Sequence, residues 1–185
     1  LCSQLIANSL PTANPRFAKQ LYSGASSLSI VAETLIALLN TSMARHEIAP
    51  FFSALEKEVV DFVAQNFKVT KKCLGLTTPG GSYGNLLSLQ LARYKKDPQH
   101  LELGSKPRYV AYISEHAHYS LLKSFKTLGF GAQNLVQVKS NEQFQMDPRN
   151  LEEKIKKTIS QGLIPFYVAL TAGTTVHGAF DSPSN

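Results

Sequence analysis

Apolar residues recur at helical spacing through residues 26–43, SSLSIVAETLIALLNTSM, with Ser26 or Ser27 placed to cap the helix. Pro50 then precedes FFSALEKEVVDFVAQNF, a second amphipathic segment whose Phe52, Leu55, Val59, Phe62 and Val63 share a face. From there the pattern changes. A short strand, KCLGLTT, leads into a glycine turn and a helix over about 83–94. Strand RYVAYIS (108–114), helix 118–128, strand NLVQVK (134–139), a helix opening at Asp147-Pro148 and closing at Gly162, and strand LIPFYVALT (163–171) follow in order. The stretch 95–107, KKDPQHLELGSKP, reads as surface loop. Short strands alternating with helices of ten to fifteen residues predict an α/β fold, a mainly parallel sheet covered on both faces.

Ligands of such sheets lie at the carboxyl ends of the strands. Three polar loops fall there: TTPGGSYGNL (77–86), SEHAH (114–118) and TAGTT (171–175). In the first, Pro79-Gly80-Gly81-Ser82 runs directly into a helix, where backbone N–H groups and a hydroxyl suit a phosphate. It lacks the Gly-Lys-Ser/Thr of a nucleoside-triphosphate loop and the spaced glycines of a dinucleotide fold, and a plain turn with a Ser cap fits the same letters. The second loop offers His116 and His118. No third metal ligand stands nearby, so they read as capping residues or as an imidazole that stacks on an aromatic cofactor. The third packs threonines around Gly173, with hydroxyls for a ligand or for their own backbone.

Composition narrows the partners. The chain has 185 residues, and Lys plus Arg exceed Asp plus Glu by 19 − 13 = 6. The positives are dispersed and not interleaved with aromatics, which argues against nucleic acid. No apolar run is long enough to cross a bilayer, and no membrane partner is expected. Cys2 and Cys73 are far apart and show neither metal spacing nor a disulfide framework, so a reduced, cytoplasmic setting is expected.

In chain order, the motifs NPRFAKQLYSG (14–24), LNTSMARHEIAPFFSALEKEV (39–59), TPGGSYGNLLSLQLAR, YISEHAHYSLLKSFKTLG, MDPRNLEEKI and GLIPFYVALTAGTTVHGAFD resemble the pyridoxal-phosphate-dependent group II amino-acid decarboxylases. The second is closer to the glutamate and cysteine-sulfinate branch than to the aromatic one. The resemblance implies part of the large domain of a fold-type I, aspartate aminotransferase-like protein. Residues 1–50 would be part of an N-terminal helical segment, and residues 51–185 the first part of the cofactor-binding domain. It implies that Gly80, Gly81 and Ser82 hold the phosphate of pyridoxal 5'-phosphate, that His118 stacks on its ring as the catalytic histidine, and that Thr175 lies beside the ring. Gln20 would lie near the substrate, and Asn40 to Met43 in a loop that reaches the active site of the partner subunit in a homodimer. The implied reaction is decarboxylation of an amino acid, of the acidic class by the branch it follows. Ala18, Lys19, Tyr83 and Gly84 depart from common family letters and bear on substrate identity.

Two parts of the implied machinery have no match in the 185 residues: the aspartate that meets the pyridine nitrogen and the Ser-x-His-Lys-like loop of the covalent lysine. Asp181 belongs to GAFD and is not that aspartate. The opening LCSQLIANSL and the closing GAFDSPSN read as mid-protein. The isolated chain is therefore expected to be inactive, as a piece of a decarboxylase or of another pyridoxal-phosphate-dependent lyase of the same fold, or as a truncated non-catalytic product. A generic phosphate- or nucleotide-binding module rests on the glycine turn alone.

Overall fold

Strand β1 (Tyr109–Ser114) is buried along its whole length, as a central strand covered on both faces must be. The computed structural model describes residues 1–12, 14–18, 24–68, 74–104 and 108–183. Among these, β1 stands between β2 (Leu135–Val138) and β3 (Ile164–Ala169), parallel to both. The β2 register runs from Ala111 opposite Leu135 to Ser114 opposite Val138. Against β3 the register slips between Val110 and Ala111, which leaves Phe166 as the extra residue beside Pro165. Proline donates nothing to a ladder, and a bulge next to it is a usual accommodation.

Alternate residues of β1 feed two cores. Tyr109, Ala111 and Ile113 pack with Leu89, Leu121, Phe125 and Phe130. Val110 and Tyr112 pack with Val138 and Met146, joined by Leu151 and Ile155. The first core is covered by α4 (Gly81–Lys96) and α6 (Ser120–Thr127), the second by α7 (Pro148–Ser160). α7 begins as the sequence predicts: Asp147 is its N-cap and accepts a hydrogen bond from the Arg149 N–H at 2.9 Å. The parallel α/β architecture expected from the alternation is present.

Two compact units divide the chain, Leu1–Thr77 and Thr78–Asn185. The first holds α1 (Cys2–Asn8), α2 (Ser27–Leu39) and α3 (Pro50–Asn66). α2 stops four residues short of the predicted end, because Asn40 adopts left-handed φ 43°, ψ 41° and donates its N–H to the Ile36 carbonyl. A groove of ≈ 600 Å³ lies between α2 and the start of α3, lined by residues that include Leu35, Ile36, Phe52 and Leu55. Of the face predicted on α3, Phe52 is half-buried while Leu55, Val59, Phe62 and Val63 stay exposed.

Two expectations are corrected. The described part of KCLGLTT, residues 74–78, is irregular and forms no strand. Its Thr77 N–H and hydroxyl bond to the Glu56 carboxylate, so a helix side chain takes groups a ladder would need. The stretch 95–107 is not simply surface loop: α4 runs to Lys96, and α5 (His100–Leu103) adds a turn of helix. His100 is buried there, with Nδ1 2.5 Å from the Asp97 carbonyl and Nε2 3.3 Å from the Gln90 amide.

Candidate functional site

The glycine turn opens α4, and glycine is required at its first position. Gly80 is the N-cap with φ 143° and ψ 161°, a region closed to side-chain-bearing residues. Among the described residues a Cβ on Gly80 or Gly81 would meet nothing within 4 Å, so packing against them does not explain either glycine. The backbone there lies open to whatever rests on it. The Gly80 carbonyl accepts from the N–H groups of Tyr83 (3.0 Å) and Gly84 (3.2 Å) and from the Thr78 hydroxyl (3.2 Å). The N–H groups of Gly81 and Ser82, and the Ser82 hydroxyl, donate to nothing among the described residues. No acidic side chain stands in the first turn of α4, while Arg93, Lys95 and Lys96 stand in the last. No carboxylate of that first turn offsets the positive end of the helix. Open backbone, free donors and a positive helix end suit a phosphate, so these residues fit the phosphate of pyridoxal 5'-phosphate.

α4 is pinned to its neighbours by polar clips. Asn85 Nδ2 donates to Ser120 Oγ at 2.8 Å, Ser88 Oγ lies 2.8 Å from the Tyr167 hydroxyl, and Arg93 donates to the Leu128 carbonyl at 2.8 Å. The Arg93 guanidinium also lies over the Phe130 ring, 5.0 Å from its centroid.

His118 stands in the loop after β1, exposed on one side. Its Nδ1 is 2.7 Å from Ser120 Oγ and 3.3 Å from the Ser120 N–H. Its ring lies against Tyr119, centroids 4.3 Å apart, and Tyr119 carries the Lys123 ammonium over its face at 4.6 Å. Lys123 thus covers an aromatic ring. His118 also lines a cleft of ≈ 400 Å³ with Ile113, Ala117, Tyr119, Leu122, Leu135 and Gln137. His116 turns elsewhere: it meets the edge of His177, centroids 4.8 Å apart, and His177 stacks on Phe144 at 3.8 Å. Among the described residues no group of three His, Cys, Asp or Glu side chains is placed to hold a metal.

The loop after β3 divides its threonines. Thr174 is buried and bonds its own backbone, accepting from the Ala179 N–H at 3.0 Å. Thr175 is exposed at the tip. Asp181 holds the base of this loop, its two oxygens taking the N–H groups of Met146 (2.6 Å) and Thr171 (2.8 Å). Asp181 is therefore a structural clamp. Glu115 acts similarly beside β2: the Ser140 N–H bonds its carboxylate at 2.6 Å and holds its pKa below the usual carboxylate range.

Gly80, Gly81, Ser82, His118 and Thr175 all lie in the second unit, on turns at the helix start or strand ends. Asn40 and Met43 lie in the loop after α2, in the first unit. Gln20 lies outside the described residues. Asn85 and Ser120 had no site signal in the sequence: each reads as an ordinary helix polar residue until the fold joins them.

A parallel α/β sheet with an anion-receptive helix end and a ring-bearing loop on its strand-end edge defines a cofactor-binding domain. The chain matches the pyridoxal-dependent decarboxylase conserved domain over residues 2–185, and it belongs to that family, whose cofactor is pyridoxal phosphate. It is 38% identical over 183 residues to the acidic amino acid decarboxylase GADL1 of Xenopus tropicalis, covering 98% of this chain and 36% of that protein. It superposes on the crystal structure of mouse CSAD with a TM-score of 0.92 at 35% identity, covering 98% of this chain and 39% of that one. Oryza sativa TDC with pyridoxal phosphate and tryptamine shares the fold, with a TM-score of 0.84 at 22% identity over 98% of this chain and 41% of that one. The chain thus spans under half the length of these relatives.

Proposed function

We propose that the full-length protein carrying this chain decarboxylates an acidic amino acid, glutamate, aspartate or cysteine sulfinate, to its amine and carbon dioxide with pyridoxal 5'-phosphate. The observation that carries the proposal is the open N-terminus of α4, whose Gly81 and Ser82 N–H groups donate to nothing among the described residues, in a chain that follows the decarboxylase domain throughout. The acidic substrate class is supported by the likeness to the acidic amino acid decarboxylase GADL1.

When bound, the cofactor withdraws electrons from the substrate carbon so that the carboxylate can leave as carbon dioxide. The work of these residues is to hold and orient it. The Gly81 and Ser82 N–H groups and the Ser82 hydroxyl hold the phosphate. His118 clamps the ring, and Thr175 stands beside it. The proposal includes a homodimer with shared sites, to which the loop of Asn40 and Met43 contributes, and a cytoplasmic location. None of the lysines in the 185 residues follows the Ser-x-His-Lys-like pattern, so the chain alone is expected to release no carbon dioxide.

The test is carbon dioxide release by the full-length protein with cofactor. Acidic amino acids are expected to react and aromatic ones not. His118→Ala should lower the rate about a hundredfold, because a misplaced reacting group loses roughly that much. Its melting temperature should fall only modestly, since the side chain is exposed and the hydrogen bonds lost are those from Ser120. Undiminished activity in that variant would remove the clamp, and turnover of aromatic substrates alone would overturn the substrate class.

A further inference from the structure

A hydrogen-bond chain runs from the phosphate-turn helix to His118. Asn85 Nδ2 lies 2.8 Å from Ser120 Oγ, and Ser120 Oγ lies 2.7 Å from His118 Nδ1. Ser120 is buried at 2% exposure, so its hydroxyl has no ready exchange with water. The direction of the chain follows from donor chemistry. The Ser120 backbone N–H also points at His118 Nδ1, at 3.3 Å, and an N–H can only donate. Nδ1 must therefore be an acceptor, and the proton of the neutral ring sits on Nε2. The Ser120 hydroxyl, with one proton to give, gives it to Nδ1, and its lone pair receives the Asn85 amide. With the Asn85 amide reversed, its oxygen would demand the same hydroxyl proton, and Nδ1 would have to donate against the backbone N–H.

Asn85 stands three residues after Ser82, one helical turn along α4. The helix that presents the phosphate donors is thus bonded through Ser120 to the histidine. We infer that Asn85 and Ser120 are positioning residues that fix the orientation and Nε2–H tautomer of His118 and tie it to the glycine turn. The catalytic consequence rests on the proposed role of His118; the tautomer itself does not.

The test uses the full-length protein with [15N]histidine, without cofactor, at one neutral pH. The His118 ring signals in solid-state 15N spectra are assigned by their loss in His118→Gln. Wild type is expected to show a bare Nδ1 and a protonated Nε2. In Ser120→Ala both signals should move toward mixed-tautomer values, because the backbone N–H that remains, at 3.3 Å, is too long a contact to hold the tautomer without the hydroxyl at 2.7 Å. Ser120→Thr, which keeps the hydroxyl, should restore the wild-type pattern, and Asn85→Ala should give a smaller shift of the same sign. A proton on Nδ1 in wild type, or an unchanged pattern in Ser120→Ala, would overturn the inference. Should Ser120→Ala fail to fold, the wild-type tautomer and the Asn85→Ala and Ser120→Thr spectra decide it by the same criteria. With cofactor and substrate, Ser120→Ala should lower kcat by roughly tenfold or more with little change in KM. A protonated Nε2 that responds to Ser120→Ala, in a protein that decarboxylates nothing, would support the relay and sink the proposed function. Decarboxylation that needs His118, with a mixed tautomer in wild type, would sink the relay alone.

Discussion

The two units of this chain both carry periodic hydrophobic patterns and bury them to very different extents. In the second, β1 is buried end to end, and Tyr112, Phe125 and Val138 are closed off completely. In the first, α2 has no buried residue, and Leu28, Ile30, Val31, Leu35, Leu38 and Leu39 all face outward. A periodic apolar face says that a helix has something to cover, and it does not say what covers it. Within the second unit the sheet supplies the cover.

That contrast can be broken by mutation. Phe125 stacks on Phe130, ring centroids 4.6 Å apart, and lies 6.4 Å from Phe166. Phe125→Ala should cost about 3–5 kcal/mol, because the site cannot collapse around so large a cavity. Leu38→Ala, at a position 76% exposed, should stay within about 0.5 kcal/mol in the isolated chain. Urea midpoints for the two variants check this. Equal losses would show that α2 is packed and would erase the difference between the units. Next in size is Asp181→Ala, which strands the Met146 and Thr171 N–H groups. About 1.5–3 kcal/mol is expected, the range for bonds to a charged group, with faster amide exchange at Met146 and Thr171. Unchanged exchange at both would refute the clamp.

What could be read beforehand follows the same division. The order of β1, α6, β2, α7 and β3 was legible because each element carries a strong local signal, Asp147-Pro148 most clearly. The irregular course of residues 74–78 was not, since LGLTT has strand letters and only the distant Glu56 diverts Thr77. Nor was the burial of His100, which depends on the last turns of α4. At the site, Gly80, Ser82 and His118 stood out by residue type and place, and the motifs in order supplied their roles. Asn85 and Ser120 are 35 residues apart and join only when α4 packs on α6. Asp181 sat in a legible motif, but its work as a clamp needed the antiparallel return of the chain from Ala172 to Phe180.

Smaller effects sharpen the comparison at its margins. Asp147→Ala removes the cap of α7 and should cost about 1 kcal/mol, read as a lower urea midpoint, with Asp147→Asn near wild type. The smallest effect concerns Glu56, the described carboxylate that ties α3 to the segment ahead of the glycine turn. Its pKa is held below the ordinary value, first by the Thr77 hydroxyl and then by the Thr77 N–H. A depressed carboxylate stabilises the fold above its unfolded pKa, and that contribution is lost as pH falls through the folded value. Between neutrality and the ordinary carboxylate range, about pH 4, the Thr77 amide should therefore keep its chemical shift. On further acidification it should move as the bond is released. Glu56→Gln should flatten that response, because a neutral amide oxygen has no charge to lose. A Thr77 shift that is constant down to about pH 2, or one that moves equally in Glu56→Gln, would show that the carboxylate charge is not what holds this segment to α3.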